Sequence, residues 1–369
     1  MDREEGPLRR GAADGGTPKV TLARGPTPVC RAKLEGLRHA ELWIKNDGVI
    51  HPVCGGNKVR KLERILAEAQ RRESRRLVTV GAAGSHHVLA TCWFARQFGL
   101  PTAAVLTRQP WSANAERTLR ASLACGLDAR AAPSPLLVPV KLLSLLRPRD
   151  LVVPVGGSSV VGVLGYIDAA RELADQIRAN EVPEPDVLVA ALGSGGTVAG
   201  LLAGVVLEGL RTKVVGVTVA TPRAAARTLA LSLAWRAASL HAGRGVVAAR
   251  ALSRALVVDC AWLGRGYGHR TEAGTVAAER AAAIGLELEP TYTEKAFAGA
   301  LALAGAPGLG PSPDLDSQLS DITNLCSKNR PLRVLYWHTH SAASLDPLLK
   351  SWPAESKLPR RLCALLDSR

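Results

Sequence analysis

Short apolar runs that alternate with helical stretches constrain the fold of this chain more than any other feature. Seven such runs have the composition of β-strands, at 77–80, 102–106, 151–155, 187–191, 214–219, 256–258 and 334–337. Helical stretches at 113–124, 161–177 and 272–284 lie between them. Strands that are apolar on both faces are typical of a parallel sheet with helices on both sides. The pattern predicts an α/β protein with largely parallel sheets.

A lysine lies at the start of a predicted helix, directly behind a glycine turn. Residues 41–46 alternate as a strand would, the turn reads Gly-Gly-Asn-Lys at 55–58, and apolar residues then recur at helical spacing. Burial of an amine disfavours its ammonium form, so Lys58 could act as a nucleophile and form a Schiff base with a carbonyl compound. An exposed lysine at a helix N-terminus is the alternative, and this segment alone leaves both interpretations open.

A second glycine cluster, at 193–197, follows a buried-strand pattern and precedes a helical run. Strand, glycine turn and helix form an arrangement that binds phosphate, because glycines let backbone N–H groups approach the oxygens and the helix start carries partial positive charge. The loop matches neither the P-loop nor the G-x-G-x-x-G pattern, and an ordinary tight turn is the alternative. A phosphate site without a P-loop lysine, in a chain with a Schiff-base candidate, indicates pyridoxal 5'-phosphate as the cofactor.

Five motifs occur in one order along the chain: the segment around Lys58, Ser-His-His at 85–87, Gly-Gly-Ser at 156–158, the 193–197 loop and residues 289–296. On these motifs the sequence resembles the D-cysteine desulfhydrase and 1-aminocyclopropane-1-carboxylate deaminase family, within the fold type II pyridoxal-phosphate enzymes that are similar to tryptophan synthase β. The resemblance covers about residues 25–345. It implies two lobes, each with a largely parallel, twisted sheet flanked by helices.

The resemblance also implies roles in the cofactor site. Lys58 would hold pyridoxal 5'-phosphate as a Schiff base and later move the substrate proton, with Asn57 shaping the turn. The phosphate would be held by Gly193, Ser194, Gly195, Gly196 and Thr197. Ser85 would lie beside the substrate carboxylate.

Three further residues are placed near the substrate and the cofactor ring by the same resemblance. Tyr292 would face the cofactor and substrate, and Tyr267 would line the substrate side. Thr293 takes the position whose side chain meets the pyridine nitrogen. A hydroxyl there resembles the desulfhydrases, whereas a carboxylate there resembles the deaminases. A hydroxyl leaves that nitrogen largely unprotonated, which suits elimination of a good β-leaving group.

The chain departs from the family pattern at several places near the expected chemistry. His86 replaces the asparagine that meets the cofactor's phenolic oxygen, and its imidazole N–H could still donate there. Glu294 replaces a glycine, the family's His-Thr-Gly-Gly becomes His-Thr-His-Ser at 338–341, and Lys-Arg-Asp-Asp becomes Lys-Asn-Asp-Gly at 45–48. These changes leave the lysine and the glycine loop in place.

Charge alone would favour acidic partners or nucleic acid, because 47 Lys and Arg stand against 32 Asp and Glu, a formal net charge of +15. The basic residues are spread along helical stretches with little aromatic interleaving, so no nucleic-acid role is predicted. His338 and His340 could be mistaken for metal ligands. No Cys or carboxylate cluster accompanies them in the sequence, so no metal site is predicted.

No secretion signal or membrane span is predicted. The first 19 residues lack an apolar core, and the uncharged run at 187–206 contains the glycine loop, which favours strand, turn and helix over a span. Seven scattered cysteines without a C-x-x-C pair are typical of reduced thiols, so a cytoplasmic location is predicted. The family resemblance adds a homodimer as an expectation.

The predicted domain organisation follows from composition and from the resemblance. Its parts are a disordered extension at 1–18, a large cofactor-binding lobe at 19–59 and 166–348 with an inserted loop at 305–331, a small lobe at 60–165 and a basic tail at 349–369. The cofactor would lie between the lobes.

Together these features predict a pyridoxal-phosphate-dependent lyase or deaminase that acts on a small amino acid. The main interpretation is α,β-elimination to ammonia, a 2-oxo acid and a leaving group such as sulfide. Ring-opening deamination of 1-aminocyclopropane-1-carboxylate is an alternative, favoured if a carboxylate such as Glu294 met the pyridine nitrogen. A pyridoxal-phosphate-binding protein without turnover is the other alternative, which the changes at His86 and His340 permit.

Overall fold

The structure is a computed structural model that describes residues 10–11, 17–37, 40–242, 247–310, 312, 315, 318–319, 330–350 and 357–367. Most of the predicted extension at 1–18 and of the predicted inserted loop at 305–331 lies outside these residues. The chain folds into two compact units. The first unit comprises Met1–Ala23, His51–Gly162 and Ala343–Arg369, and the second comprises Arg24–Ile50 and Val163–Ala342.

The described strands are Arg10–Gly11 (β1), Lys19–Val20 (β2), Val29–Arg31 (β3), Ala40–Asn46 (β4), Arg76–Ala82 (β5), Thr102–Thr107 (β6), Gln109–Pro110 (β7), Asp128–Ala132 (β8), Asp150–Val153 (β9), Val187–Leu192 (β10), Lys213–Thr218 (β11), Leu256–Asp259 (β12), Leu332–His338 (β13) and Leu366–Asp367 (β14). The described α-helices are Lys58–Arg71 (α1), His86–Gln97 (α2), Ala113–Ala124 (α3), Val138–Leu145 (α4), Val160–Arg178 (α5), Gly196–Leu207 (α6), Arg223–His241 (α7), Ala249–Ala255 (α8), Glu272–Ala282 (α9), Thr293–Leu303 (α10), Asp346–Leu349 (α11) and Arg360–Cys363 (α12).

A four-stranded parallel sheet in the order β8-β6-β5-β9 forms the centre of the first unit. Leu77 of β5 pairs with Thr102 of β6 on one side and with Leu151 of β9 on the other. Helices α2 and α3 follow β5 and β6 along the chain. The residues after β5 therefore lie at the carboxyl edge of the sheet, where ligands bind in open α/β sheets.

A six-stranded sheet in the order β12-β11-β10-β13-β4-β3 forms the centre of the second unit. Its strands are parallel except for β3, which runs antiparallel to β4. Val189 of β10, Val217 of β11 and Tyr336 of β13 are buried in one apolar cluster with Phe297 and Leu301 of α10. The prediction of an α/β protein with largely parallel sheets is confirmed.

The described part of the carboxyl-terminal tail packs on the first unit. β14 pairs in parallel with β7, and Leu362 and Leu366 are buried in a cluster that contains Leu89 of α2 and Leu119 of α3. The sequence assigned no role to this basic tail. In the structure its leucines contribute to a hydrophobic core.

Glycines on α6 let it pack closely against α5. A Cβ atom on Gly200 would lie 2.3 Å from the Cβ of Tyr166, and one on Gly204 would lie 2.3 Å from the Cβ of Ala170. Contacts this short leave no space for a side chain at either position. The uncharged run at 187–206 is a buried strand and a buried helix, and none of the helices in the described part of the chain is long and apolar enough to cross a membrane.

A buried carboxylate connects several elements of the second unit. Asp47 directly follows β4 and has no exposed surface. Its Oδ2 accepts hydrogen bonds from the hydroxyl of Tyr166 at 2.7 Å and from the indole N–H of Trp337 at 2.8 Å. Its Oδ1 accepts a hydrogen bond from the hydroxyl of Thr27 at 3.1 Å. Because Tyr166 belongs to α5 and Trp337 to β13, one side chain links a helix to two neighbouring strands.

A buried amine extends this network. Nζ of Lys45, at the end of β4, donates hydrogen bonds to Oε1 of Glu172 at 2.5 Å, to Oε1 of Gln176 at 2.6 Å and to the Thr27 carbonyl at 2.7 Å. Buried charges persist only when they are paired and hydrogen-bonded. The motif at 45–48 therefore has a structural role in the second unit.

Candidate active site

Lys58 is the first residue of α1, which confirms the predicted start of the helix. Gly56 makes the preceding turn with a φ of 80°, in the left-handed region that favours glycine. Nζ of Lys58 donates a hydrogen bond to Oδ1 of Asn57 at 2.5 Å. Both side chains are half-buried. The amine is thus oriented by its neighbour and partly shielded from water.

Two buried residues with ionisable side chains fix α1 within the first unit. Oε1 of Glu63 accepts hydrogen bonds from the two backbone N–H groups of residues 22–23, at 2.9 and 2.8 Å. Nζ of Lys61 donates a hydrogen bond to the carbonyl of Gly156 at 3.1 Å. Gly156 and Gly157 have φ values of 66° and 67°, so this glycine pair forms a left-handed turn against α1.

Lys61 is a second amine close to Lys58, and the sequence patterns do not single it out. The two lysines are three residues apart on α1, so they share one face of the helix. Burial lowers the pKa of Lys61 well below its ordinary value, and the charge of Lys58 lowers it further. A neutral Lys61 places no second positive charge beside Lys58.

Ser85 is the N-cap of α2, at the carboxyl edge of the first unit's sheet. Its backbone is extended, and its side chain is half-buried and makes no capping hydrogen bond. A Cβ on Gly84 would lie 2.4 Å from the Cα of Ala115, so the preceding loop requires glycine. A helix N-terminus with a serine at this position presents N–H groups and a hydroxyl to an anion. This is the arrangement expected of a site that binds the substrate carboxylate beside Ser85.

His86 and its neighbour His87 differ in their surroundings. Nε2 of His86, which is half-buried, lies 3.9 Å from Sγ of Cys54. Burial raises the pKa of the Cys54 thiol far above its ordinary value, so the thiol stays protonated. His87 is buried, its Nε2 contacts the Thr79 hydroxyl at 2.9 Å, and burial lowers its pKa well below the ordinary value. His87 is therefore a neutral core residue.

The 193–197 loop leads from β10 into α6 in the second unit. Gly195, the N-cap of α6, has a φ of 85°. A Cβ on Gly193 would lie 2.7 Å from Cε1 of Tyr292. The loop therefore requires glycine at both positions. Its backbone lies at the positive end of a twelve-residue helix, and Thr197 is buried in the first turn. This geometry suits a bound phosphate.

Tyr267 and Tyr292 form an aromatic pair beside this loop. Their ring centroids are 5.7 Å apart and their planes meet at 82°. Burial raises the pKa of both phenols. A hydrogen bond between the two phenols has smaller effects than burial, lowering the pKa of Tyr267 and raising that of Tyr292. Both phenols are thus protonated at neutral pH.

Glu289 caps α10, which begins at Thr293. Its Oε1 accepts hydrogen bonds from the backbone N–H groups of Tyr292 at 2.7 Å and Thr293 at 2.9 Å, and its Oε2 accepts one from Thr291 at 2.9 Å. The Thr293 hydroxyl accepts a hydrogen bond from the Glu289 N–H at 2.7 Å, so this buried hydroxyl takes part in the cap. Its contact with the pyridine nitrogen stays a prediction. A carboxylate just before a helix start is the sequence signal for such a cap.

Glu294 forms an ion pair with Arg270. It has no exposed surface, and its carboxylate accepts hydrogen bonds from Nε of Arg270 at 3.0 Å and from Nη2 at 2.6 Å. Burial raises the pKa of Glu294, whereas Arg270 lowers it. A Cβ on Gly274 would lie 3.2 Å from Oε2 of Glu294, so α9 packs directly against this pair.

His338 lies at the end of β13, and its ring centroid is 6.4 Å from that of His340. The pKa of His338 is lowered to about 3, mainly by burial and further by His340, against the opposing effect of Asp47. Within the described ranges, no three His, Cys, Asp or Glu side chains are grouped so that they could hold a metal ion. His338 is therefore a neutral, buried residue in the folded protein.

We expect His338 to reduce stability as the pH falls below about 6.5. The folded protein keeps this imidazole neutral down to a pKa of about 3, whereas the unfolded chain protonates it near 6.5. Between these values the unfolded state binds one proton more, so this group lowers the free energy of unfolding by about 1.4 kcal/mol per pH unit as pH falls. Urea denaturation at pH 7 and pH 5 should show a smaller pH effect for His338→Gln than for the wild type. Equal effects would contradict this expectation.

Some residues of the predicted site lie together within each unit. In the first unit Asn57 and Lys58 are hydrogen-bonded to each other, Ser85 and His86 are adjacent at the start of α2, and His86 contacts Cys54. In the second unit the residues that lie together are Gly193, Ser194, Gly195, Gly196, Thr197, Tyr267, Tyr292 and Thr293.

Comparison with known proteins places this geometry among enzymes of one cofactor. A family model described as pyridoxal-phosphate dependent enzyme matches residues 20–313. The D-cysteine desulfhydrase of Salmonella choleraesuis is 34% identical over 296 residues, which cover 76% of this chain and 87% of that enzyme. The D-cysteine desulfhydrase of Salmonella paratyphi C gives the same values.

Solved structures agree with this similarity. The crystal structure of an ACC deaminase homologue matches with a TM-score of 0.70 at 25% identity and covers 91% of this chain and 97% of its own. A fungal L-serine ammonia-lyase from Rhizomucor miehei matches with a TM-score of 0.58 at 18% identity and covers 88% of this chain and 96% of its own. The second match supports the fold alone.

Proposed function

This chain belongs to the pyridoxal-phosphate dependent enzyme family, and we propose that it is a lyase that acts on a small amino acid by α,β-elimination. Its products would be ammonia, a 2-oxo acid and a leaving group such as sulfide. The similarity to D-cysteine desulfhydrases over three quarters of the chain supports this class of reaction. The geometry of the site residues in the first and second units is a separate line of support for this proposal.

The residues present fit pyridoxal 5'-phosphate. The 193–197 loop combines Gly193, on which the Tyr292 ring packs, with a left-handed Gly195 and a helix N-terminus, and the last two features suit a phosphate. Lys58 offers a half-buried amine to an aldehyde carbon. His86 offers a ring nitrogen where the family has an asparagine for the phenolic oxygen. We assign Lys58 to the aldehyde carbon and the loop to the phosphate.

Lys58 would be the residue that moves the α-proton. When bound, the cofactor supplies an electron sink that stabilises negative charge at the substrate α-carbon. Nζ of Lys58 would act as the general base toward that carbon. Oδ1 of Asn57 accepts a hydrogen bond from Nζ of Lys58, which orients the amine. The lowered pKa of the buried Lys61 keeps a competing positive charge away from this amine.

Ser85 and the tyrosine pair would act on the other groups of the substrate. The Ser85 hydroxyl and the first N–H groups of α2 would bind the substrate carboxylate through charge-assisted hydrogen bonds. Both phenols are protonated at neutral pH, and Tyr267 is the one that the family resemblance places on the substrate side. A departing thiolate leaves more readily when it is protonated, so Tyr267 would be the general acid.

One observation carries the choice of elimination over ring-opening deamination. Family deaminases are expected to place a carboxylate where this chain has Thr293, and Glu294 is the neighbouring carboxylate that could replace it. Its two oxygens are instead held by Arg270 at 2.6 and 3.0 Å. The Glu294 carboxylate is buried although Arg270 is exposed, so breaking this bidentate pair would leave a buried charge without its partner. The similarity to an ACC deaminase homologue keeps deamination as the second candidate.

A substrate panel tests the proposal. Purified protein loaded with pyridoxal 5'-phosphate is incubated with D-cysteine, L-cysteine and 1-aminocyclopropane-1-carboxylate, and the released 2-oxo acid and sulfide are measured. We expect 2-oxo acid and sulfide from a cysteine. A 2-oxo acid from the cyclopropane substrate alone would identify a deaminase. A protein that binds the cofactor but releases no product from any substrate would be a binding protein without turnover.

Ser85→Ala is expected to raise KM about tenfold or more while kcat changes less. A hydrogen bond to a charged group contributes about 1.5–3 kcal/mol, and a carboxylate contact made equally in the ground and transition states affects binding rather than turnover. Steady-state kinetics on the preferred amino acid measure this split. Ser85→Thr keeps a hydroxyl and is the matched control. A fall in kcat with unchanged KM would place Ser85 elsewhere in the reaction.

We also infer a homodimer in the cytoplasm. The family resemblance supports the dimer, and the scattered cysteines support a reducing compartment. Sedimentation equilibrium of the purified protein measures its oligomeric state, and a monomer at micromolar concentration would contradict the homodimer.

A further inference from the structure

We propose that the segment from Glu289 to Lys295 is a positioning device that fixes both tyrosines of the site from one short stretch of chain. Glu289 fixes the backbone at Tyr292, and Lys295 fixes the loop that carries Tyr267. This inference deepens the proposed function and rests on it for the role of the tyrosines. Its structural part stands on contacts within the second unit alone.

Glu289 determines where Tyr292 can lie. Tyr292 is the N-cap of α10, with φ −122° and ψ −59° outside helical geometry, and α10 holds its carbonyl, which accepts a hydrogen bond from the Ala296 N–H at 3.1 Å, but not its N–H. The Glu289 carboxylate accepts hydrogen bonds from three successive backbone N–H groups, at residues 291–293. A negative charge at this helix start also interacts favourably with the helix dipole. The cap therefore holds the Tyr292 backbone while its ring packs on Gly193.

Lys295 determines where Tyr267 can lie. The Lys295 side chain is buried in α10, and its Nζ donates hydrogen bonds to the carbonyls of Leu263 at 2.9 Å and Gly266 at 2.7 Å. Gly264, Gly266 and Gly268 have φ values of 57°, 102° and 80°, so glycine turns surround Tyr267, and in the first of them the Gly266 N–H donates to the Leu263 carbonyl at 3.1 Å. The two hydrogen bonds from Lys295 anchor this turn to α10 directly before the tyrosine.

The charge of Glu289 acts on the pKa values of the tyrosines in the same direction as their burial. The negative charge of Glu289 raises the pKa of Tyr267 and Tyr292, after the larger effect of burial. Glu289 acts in the same direction on Tyr336 and on Glu294, and it opposes the lowering of the Lys295 pKa by burial. Arg270 faces Glu294 and compensates its charge. The phenols that face Glu289 thus remain proton donors.

The experiment follows the phenols themselves, without turnover. The chain contains four tyrosines, Tyr166, Tyr267, Tyr292 and Tyr336, so labelling with [13Cζ]tyrosine gives an NMR spectrum that Tyr→Phe variants can assign. Glu289→Gln keeps the shape of the side chain but offers one carbonyl oxygen instead of two. We expect the Tyr267 and Tyr292 signals to shift and to titrate at lower pH, with Tyr166 as the internal reference. Lys295→Met is expected to shift Tyr267 more than Tyr292.

Kinetics give the second measurement. Displacement of reacting groups by about 1 Å can lower rates about 100-fold, so we expect kcat of Glu289→Gln to fall about 10- to 100-fold with little change in KM. Asp186→Asn is the matched control, because Asp186 also accepts a backbone N–H, from Arg333, but precedes β10 at the end opposite the loop. Lys213→Met, which loses a bond to the Arg254 carbonyl, is the control for Lys295.

The outcomes separate the two ideas. Tyr267 and Tyr292 signals that match the wild type in position and titration in both variants would overturn the positioning role. A wild-type protein that turns over no amino acid, while the phenol signals still respond selectively to Glu289→Gln, would overturn the proposed function and leave the positioning role intact. Equal shifts of all four tyrosines would indicate general unfolding, and the proposal would then be wrong in its selectivity.

Discussion

Lys58→Ala is expected to lower kcat/KM by about 1,000-fold or more and to remove the yellow colour of the cofactor-loaded protein. The amine is the group assigned both to the aldehyde carbon and to the α-proton, so one substitution removes covalent attachment and a general base together. Each of these contributions is commonly worth about 100- to 10,000-fold. Visible absorption spectra and 2-oxo acid release measure the two losses separately.

Two further variants distinguish loss of covalent cofactor attachment at Lys58 from loss of its positive charge. Lys58→Arg retains the positive charge at the start of α1 but removes the nucleophilic amine, and we expect it to behave like Lys58→Ala. Lys33→Ala removes an exposed lysine and should change neither spectrum nor rate. Wild-type protein that stays colourless after addition of pyridoxal 5'-phosphate, or a Lys58→Ala variant that keeps the wild-type spectrum, would contradict the assignment.

The strands were predictable where apolar residues run on both faces, because a buried parallel strand needs no polar alternation. All seven predicted runs are strands, from β5 to β13. The run at 151–155 is shorter than predicted and ends at Val153, since Pro154 lacks an N–H and Val155–Gly157 forms a 3-10 turn. Helix α7 was not predicted, because its alanines and leucines lie on all sides and give no amphipathic stripe.

The site was predictable only where the side chain itself determines the chemistry. Lys58 and the 193–197 loop carry their own local signals, a helix start and glycines with left-handed backbone. Glu289 acts through backbone N–H groups, which every residue except proline has, so the sequence indicates a cap but does not show that it holds Tyr292. Glu294 pairs with Arg270, 24 residues earlier on another element, and no periodicity relates the two positions.

The polar motif at 45–48 shows that the sequence alone also fails to identify residues that stabilise the fold. In the sequence it is a departure from a family pattern near the expected chemistry. In the structure Lys45 and Asp47 are buried and hydrogen-bonded to α5, to β13 and to Thr27. The partners on α5 and β13 lie more than a hundred residues away in sequence, so only the folded chain reveals them. Substitutions of Lys45 and Asp47 are therefore expected to affect the stability of the fold most.

Asp47→Ala is expected to lower the free energy of unfolding by about 3–5 kcal/mol. The Tyr166 hydroxyl and the Trp337 indole N–H both lose this acceptor in the interior, and each buried donor deprived of a partner costs about 1–3 kcal/mol. Thr27 suffers less, because its hydroxyl also contacts Oε1 of Glu172 at 3.1 Å. Urea denaturation followed by tryptophan fluorescence measures the change.

Two further variants show whether the loss comes from hydrogen bonding in the interior. Asp47→Asn keeps one acceptor oxygen and nearly the same volume, so its loss should lie between those of the wild type and Asp47→Ala. Asp175→Ala removes an exposed carboxylate from α5, where its ion pair with Arg178 faces solvent, and should change stability little. If Asp47→Ala and Asp175→Ala were equally mild, the buried donors would have found water or other partners. The link from α5 through Asp47 to β13 would then not stabilise the second unit.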